Sequence, residues 1–183
     1  YTNRHRFKDT HNFMVTATDP QGPWSAPIPL NKMGFDPSLF HDPDGTKWLV
    51  NMLFDYRLDH KRFGGVGVQQ YDPKTQKLVG PIYNVFKGSD KGTTEGPNIF
   101  YHNGWYYLVT AEGGTEFKHC VTMCRSRKLT GPYEIGPYEP VLTSFGKDVQ
   151  LKRAGHGQII QGKDGNWYMA HLCSRSLDDC SIV

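Results

Sequence analysis

Asp36, Glu95 and His156 are the residues whose types and spacing could do chemistry together. They stand 59 and 61 residues apart, each second in an 18-residue window that aligns with the others without a gap. The windows read FDPSLFHDPDGTKWLVNM (35–52), TEGPNIFYHNGWYYLVTA (94–111) and GHGQIIQGKDGNWYMAHL (155–172). Two carboxylates and an imidazole brought into one cavity suit general acid–base chemistry. Hydrolysis of a glycosidic bond has that requirement: one carboxyl group protonates the leaving oxygen while an ionised one activates water or attacks. Like charges packed in a partly dry pocket push the pKa values of such groups apart. Taken singly, Asp36 before Pro37 would only start a turn. Glu95 in Thr-Glu-Gly-Pro would be a solvated loop residue, and His156 between two glycines a core histidine. Recurrence of titratable groups at one repeat position argues against those readings.

The elements that must position them are β-strands. Asp44-Gly45, Asn103-Gly104 and Asp164-Gly165 share two columns of the windows. Such pairs favour type I′ hairpin turns, in which both residues take positive φ. Apolar and β-branched residues flank each turn, so each window reads as a hairpin with its polar residue near the start of the first strand. A second ruler agrees. Gly22-Pro23, Gly80-Pro81 and Gly131-Pro132 follow the strand-like runs 13–19, 65–71 and 120–126, and a further extended segment follows each. One unit is thus about four strands in about 60 residues, the signature of a propeller blade. In a propeller the first strand of each blade lines the axial channel, so the three residues should converge there. The reading is an all-β propeller with about three blades: the end of one (1–30), two full units (31–88 and 89–149) and the start of a last (150–183). Closed propellers have 4–8 blades, so a longer protein is expected.

Composition fits and excludes. The 183 residues are 37% hydrophobic and 13% aromatic, with 20 Gly and 12 Pro, which suits short strands and tight turns. The formal net charge is only +3 with no long basic run, so nucleic acid is not an expected partner. No stretch reads as a membrane span. Cys120, Cys124, Cys173 and Cys180 form no C-x-x-C pair and read as free thiols; a disulfide among them, and with it the compartment, stays open. Phe35, Phe54, Tyr56, Trp105 and Phe117 lie near the candidate cavity strands or their loops. Most aromatics in a propeller fill the space between blades; Phe54, where NMLFDYR (51–57) leaves its strand, is the best sugar-facing candidate.

The segments GFDPSLFHDPDGTKWLVNM (34–52), TEGPNIFYHNGWYYLVTAEGGT (94–115), RSRKLTGPYE (125–134) and GHGQII (155–160) resemble glycoside hydrolase family 43, in its β-xylosidase branch. The resemblance spans the chain and implies a five-bladed β-propeller that inverts the anomeric centre with three carboxylates. It places Glu95 on the general acid and Asp36 on the aspartate that tunes and orients that acid. His156 falls on the channel histidine, which in some members lies near a bound calcium. Leu53 and Phe54 fall on an aromatic pair at the site rim, of which only Phe54 keeps that character. Phe35, Phe54 and His156 are therefore the substrate-binding candidates. The family's general-base aspartate would precede Tyr1 and a substrate-binding arginine would follow Val183, so these residues alone are expected to be inactive. The implied whole protein is a homo-oligomer that releases xylose from the non-reducing end of xylo-oligosaccharides. It requires no cofactor and has at most a structural calcium. The alternatives are an α-L-arabinofuranosidase of the same family, a non-catalytic carbohydrate-binding propeller and a structural propeller for protein partners.

Overall fold

The structure, a computed structural model, describes residues 1–3, 9–177 and 181–182. Among them there is no helix; every regular element is a strand, and the strands form four antiparallel sheets. The first sheet joins β1 (Thr2–Asn3), β2 (His11–Met14) and β3 (Ile28–Pro29). The second is a four-stranded meander of β4 (Ser38–His41), β5 (Lys47–Phe54), β6 (Phe63–Asp72) and β7 (Lys77–Phe86). The third runs through β8 (Glu95–His102), β9 (Trp105–Glu112), β10 (Cys120–Ser126) and β11 (Glu134–Ile135), with β12 (Leu142–Thr143) also pairing β10. The fourth holds β13 (Leu151–Gln161), β14 (Trp167–Leu177) and β15 (Ser181–Ile182). Each meander is one blade.

Burial along the strands shows why they stack as blades. Leu49 to Met52 on β5 and Leu108 to Glu112 on β9 are buried without alternation. Continuous burial means both faces of these strands are covered by neighbouring sheets. By contrast β7 is exposed over much of its length, as an outer edge strand should be. The core between the second and third sheets packs Phe40, Val50, Val66 and Val68 against Leu108, Cys124 and Tyr133. Fully burying such an aliphatic side chain is worth about 1.5–3 kcal/mol. Polar ties join the same two blades: Ser38 Oγ donates to the Pro97 carbonyl at 2.6 Å, and Tyr106 Oη donates to the Asp42 carboxylate at 3.2 Å.

The hairpin turns differ from expectation in two of three cases. Asn103 and Gly104 have φ of 48° and 77° between the paired residues His102 and Trp105, a two-residue type I′ turn. At Asp44-Gly45 only the glycine has positive φ; the Gly45 N–H donates to the Asp42 carbonyl and the Asp42 N–H to the Thr46 carbonyl, both at 2.9 Å. That is a three-residue loop, a type I turn closed by a left-handed glycine. Pro43 prefers the second position of such a turn, and Asp44 Oδ1 accepts from Thr46 N at 2.8 Å. Asp164-Gly165 repeats this form, with the Gly162 N–H donating to the Asn166 carbonyl at 2.8 Å. Two further details depart from the second ruler. The run 13–19 contributes only the end of β2, and Gly80-Pro81 lies inside β7 rather than between strands. Cys120, Cys124 and Cys173 are free; Cys180 lies outside the described residues.

Candidate active site

The three repeat residues meet. Asp36, Glu95 and His156 line one cleft of about 960 Å³, and Phe35, Phe63, Ser38 and Glu116 contribute to its wall. Asp36 lies just before β4, Glu95 begins β8 and His156 sits within β13, and the ladders at the latter two are irregular. Pairing of β8 with β9 shifts between Glu95 and Asn98, and pairing of β13 with β14 shifts between Gly155 and Gln158. Such bulges re-aim side chains and gather beside sites. The backbone is unusual at the same points: Asp36, His156 and Thr93 have φ of 51°, 49° and 54°. Left-handed conformations cost non-glycine residues energy and persist where the surroundings enforce them, often at functional positions.

Two contacts lock the trio. The Gly96 N–H donates to Asp36 Oδ2 at 3.0 Å, so the Asp36 carboxylate is held against the backbone next to Glu95. Gly96 itself has φ of +56°, and a Cβ there would stand 2.6 Å from His156 Nε2. Only a glycine lets the His156 ring press this closely on the residue after Glu95. The cleft thus brings two carboxylates and an imidazole from three successive blades onto one stretch of backbone.

His119 supports this arrangement from below and carries no repeat signal in the sequence. It is buried, and its Nδ1 lies 3.0 Å from the Arg153 carbonyl, which makes Nδ1 the protonated nitrogen. Its ring packs on Gly155, beside His156. Burial lowers the His119 pKa below the usual histidine value, and the nearby His156 lowers it further. A neutral, hydrogen-bonded imidazole therefore shapes the bend that presents His156. The Arg153 and His156 backbones on either side are both left-handed.

Not every candidate lines the cleft. Phe35 does, although it is largely buried. Phe54 is absent from the wall; its ring packs behind, 6.5 Å from Phe35 and 6.4 Å from Phe63. β5 continues through Leu53 to Phe54 with a register shift between them, and Phe63, which begins β6, takes the wall position. Trp105 lies at the opposite end of β9 from Glu112, between the guanidinium groups of Arg125 and Arg127. Tyr56 is tied to Thr10 through its hydroxyl at 2.9 Å. Phe117 is exposed in the loop after β9, beneath Arg153. A third carboxylate of the wall, Glu116, is 77% exposed and 3.7 Å from Arg153.

A calcium near His156 would need most of its oxygen ligands from water or from the rest of the whole protein. Calcium takes six to eight oxygen ligands, and among the described residues no three His, Cys, Asp or Glu side chains cluster to hold a metal.

The chain matches the family model described as Glycosyl hydrolases family 43 over residues 1–182. Xylosidase/arabinosidase 43B of Humicola insolens is 54% identical over 172 residues, covering 92% of this chain and 32% of its own. The beta-xylosidase of Bacillus subtilis (strain 168) is 47% identical over 179 residues, covering 96% of this chain and 34% of its own. Among solved structures, xylan beta-1,4-xylosidase from Bacillus halodurans C-125 superposes with a TM-score of 0.92 at 50% identity, covering 97% of this chain and 34% of that one. The chain spans about a third of the length of the curated relatives it matches. The sheets seen here are therefore an incomplete set of blades of a β-propeller.

Proposed function

The chain belongs to the glycosyl hydrolases family 43, and from that premise we propose that the whole protein is an inverting exo-β-1,4-xylosidase acting on xylo-oligosaccharides. Glu95 is its general acid, delivering a proton to the leaving glycosidic oxygen. Asp36 orients that acid and tunes its affinity for the proton through charge. His156 and Phe35 shape the pocket for the terminal sugar. The general base that activates water is a further carboxylate of the whole protein. The observation that carries the reading is the bond from Gly96 N–H to Asp36 Oδ2 in a cleft shared with Glu95. It seats one carboxylate beside the backbone of the other, as a paired acid and tuning group require.

A second reading, cleavage of α-L-arabinofuranosides, is favoured by the name of one close relative, Xylosidase/arabinosidase 43B. The whole protein assayed on p-nitrophenyl β-D-xyloside and p-nitrophenyl α-L-arabinofuranoside separates the two. Faster xyloside turnover, with α-xylose as the first product seen by NMR, is the expected result. Dominant arabinoside turnover, or β-xylose released first, would overturn the xylosidase or the inverting assignment respectively.

A further inference from the structure

Glu112 ends β9, one residue beyond Ala111, the register partner of Glu95. Its side chain is fully buried, and among the described residues no cation pairs with it. It is satisfied by four donors instead. Oε1 accepts from Ser89 N at 2.8 Å and from Thr94 Oγ1 at 2.7 Å. Oε2 accepts from the Ser89 hydroxyl at 2.5 Å and from Thr122 Oγ1 at 2.8 Å. A carboxylate offers about four acceptor positions, and all are taken.

Three of those donors belong to the segment 89–94, which runs directly into Glu95. The same segment is tied by Gly113 N–H donating to the Gly92 carbonyl at 2.8 Å. Its entrance is tight: Gly88 has φ of +90°, and a Cβ there would stand 2.2 Å from Thr94 Oγ1. Moving the segment would strip donors from a buried carboxylate, which is far costlier than losing an exposed hydrogen bond. Thr93, left-handed and lining the cleft, is held within it.

We infer that Glu112 is a positioning residue for Glu95, clamping the segment 89–94 so that the acid meets the leaving oxygen. The inference rests on the general-acid reading of Glu95 above. Proton transfer needs heavy atoms within hydrogen-bond reach, and a displacement of about 1 Å can cost about 100-fold. Glu112→Gln keeps the shape but removes the charge. The Ser89 N–H fixes the amide oxygen at the Oε1 position, so the amide nitrogen stands where the Ser89 and Thr122 hydroxyls must turn from donors to acceptors, which weakens the clamp.

The test compares two substrates of the whole protein. Xylobiose has a poor leaving group that needs the proton; 2,4-dinitrophenyl β-D-xyloside departs with little protonation. Glu112→Gln is expected to lower kcat on xylobiose about 10–100-fold with KM little changed, and to leave the dinitrophenyl substrate nearly at the wild-type rate. Thr94→Val, which removes one donor, should show the same selectivity in weaker form and carries the test if Glu112→Gln does not fold. Equal losses on both substrates, or no loss on either, overturn the inference. Glu95→Gln run alongside separates the two levels: if it too lacks leaving-group selectivity, the general-acid reading is what fails. If it is selective and the Glu112 and Thr94 variants are not, only the positioning role fails.

Discussion

Alanine at Gly96 should damage both the fold and the site, by an amount the geometry sets. At φ of +56° an L-residue pays about 1–2 kcal/mol for a left-handed backbone. The added Cβ would stand 2.6 Å from His156 Nε2, closer than side-chain carbons approach, so the ring or the bulge must shift. Overpacking of that kind adds about 1–3 kcal/mol. The expected loss is therefore about 2–5 kcal/mol in urea unfolding, with unchanged m-value. Gly45→Ala is the control. Gly45 also has positive φ, at +91°, but nothing lies within 4 Å of its Cβ position, so it should lose only the conformational part, about 1–2 kcal/mol. The difference between the two variants isolates the close approach of His156 to the backbone beside Glu95. Because Gly96 N–H also holds Asp36, activity of the whole protein should fall with Gly96→Ala and not with Gly45→Ala. Equal stability losses at the two sites would refute the packing of His156 on Gly96 and the cleft geometry built on it.

Three other outcomes follow from the same structure. Asp36→Asn keeps an acceptor for Gly96 N–H, so unfolding should change little, while kcat/KM on xylosides falls about 100-fold or more; equal loss of stability and activity would point to a structural role. Glu139 makes stability depend on pH. Burial raises its pKa from the usual carboxylate value to about 7, against the lowering effect of the Met123 N–H that bonds Oε1 at 2.7 Å. The folded chain then keeps a proton that the unfolded chain releases, so this contribution is full below about pH 4.5 and is lost as pH rises toward 7. Allowing for solvent screening at this half-buried site, the change is about 1–2 kcal/mol; Glu139→Gln should remove it, and an identical pH dependence in wild type and variant would show that Glu139 is not its source. Leu108→Ala, at a fully buried core position, should cost about 2–5 kcal/mol of unfolding free energy, and a loss below 1 kcal/mol would mean the inter-blade core is looser than described.

The sequence exposed what repeats and hid what does not. Asp36, Glu95 and His156 could be found because blades place equivalent positions at equivalent places, and the cleft brings all three together. The hairpins were legible for the same reason, but loop length was not: Asp-Gly and Asn-Gly pairs look alike in sequence, while Pro43 and the Asp44–Thr46 bonds select a three-residue loop. His119 and Glu112 had no repeat partner to give them away. Each acts through one carbonyl or one loop segment of its own, and such contacts across the fold leave no periodic trace. A glutamate ending the apolar strand WYYLVTAE was the one available hint of Glu112. The resemblance puts Phe54 at the rim, where 51–57 leaves its strand, yet the register shift between Leu53 and Phe54 turns it behind Phe63.

The chemistry of the cleft depends on Glu95 as the proton donor. Its most direct test is kcat/KM of the whole protein carrying Glu95→Gln on xylobiose, with folding checked by unchanged circular dichroism. A fall of about 100- to 10,000-fold is predicted, the usual contribution of a positioned general acid. Hydrolysis at the wild-type rate would contradict the assignment, and with it the reading of the cleft as an acid–base site.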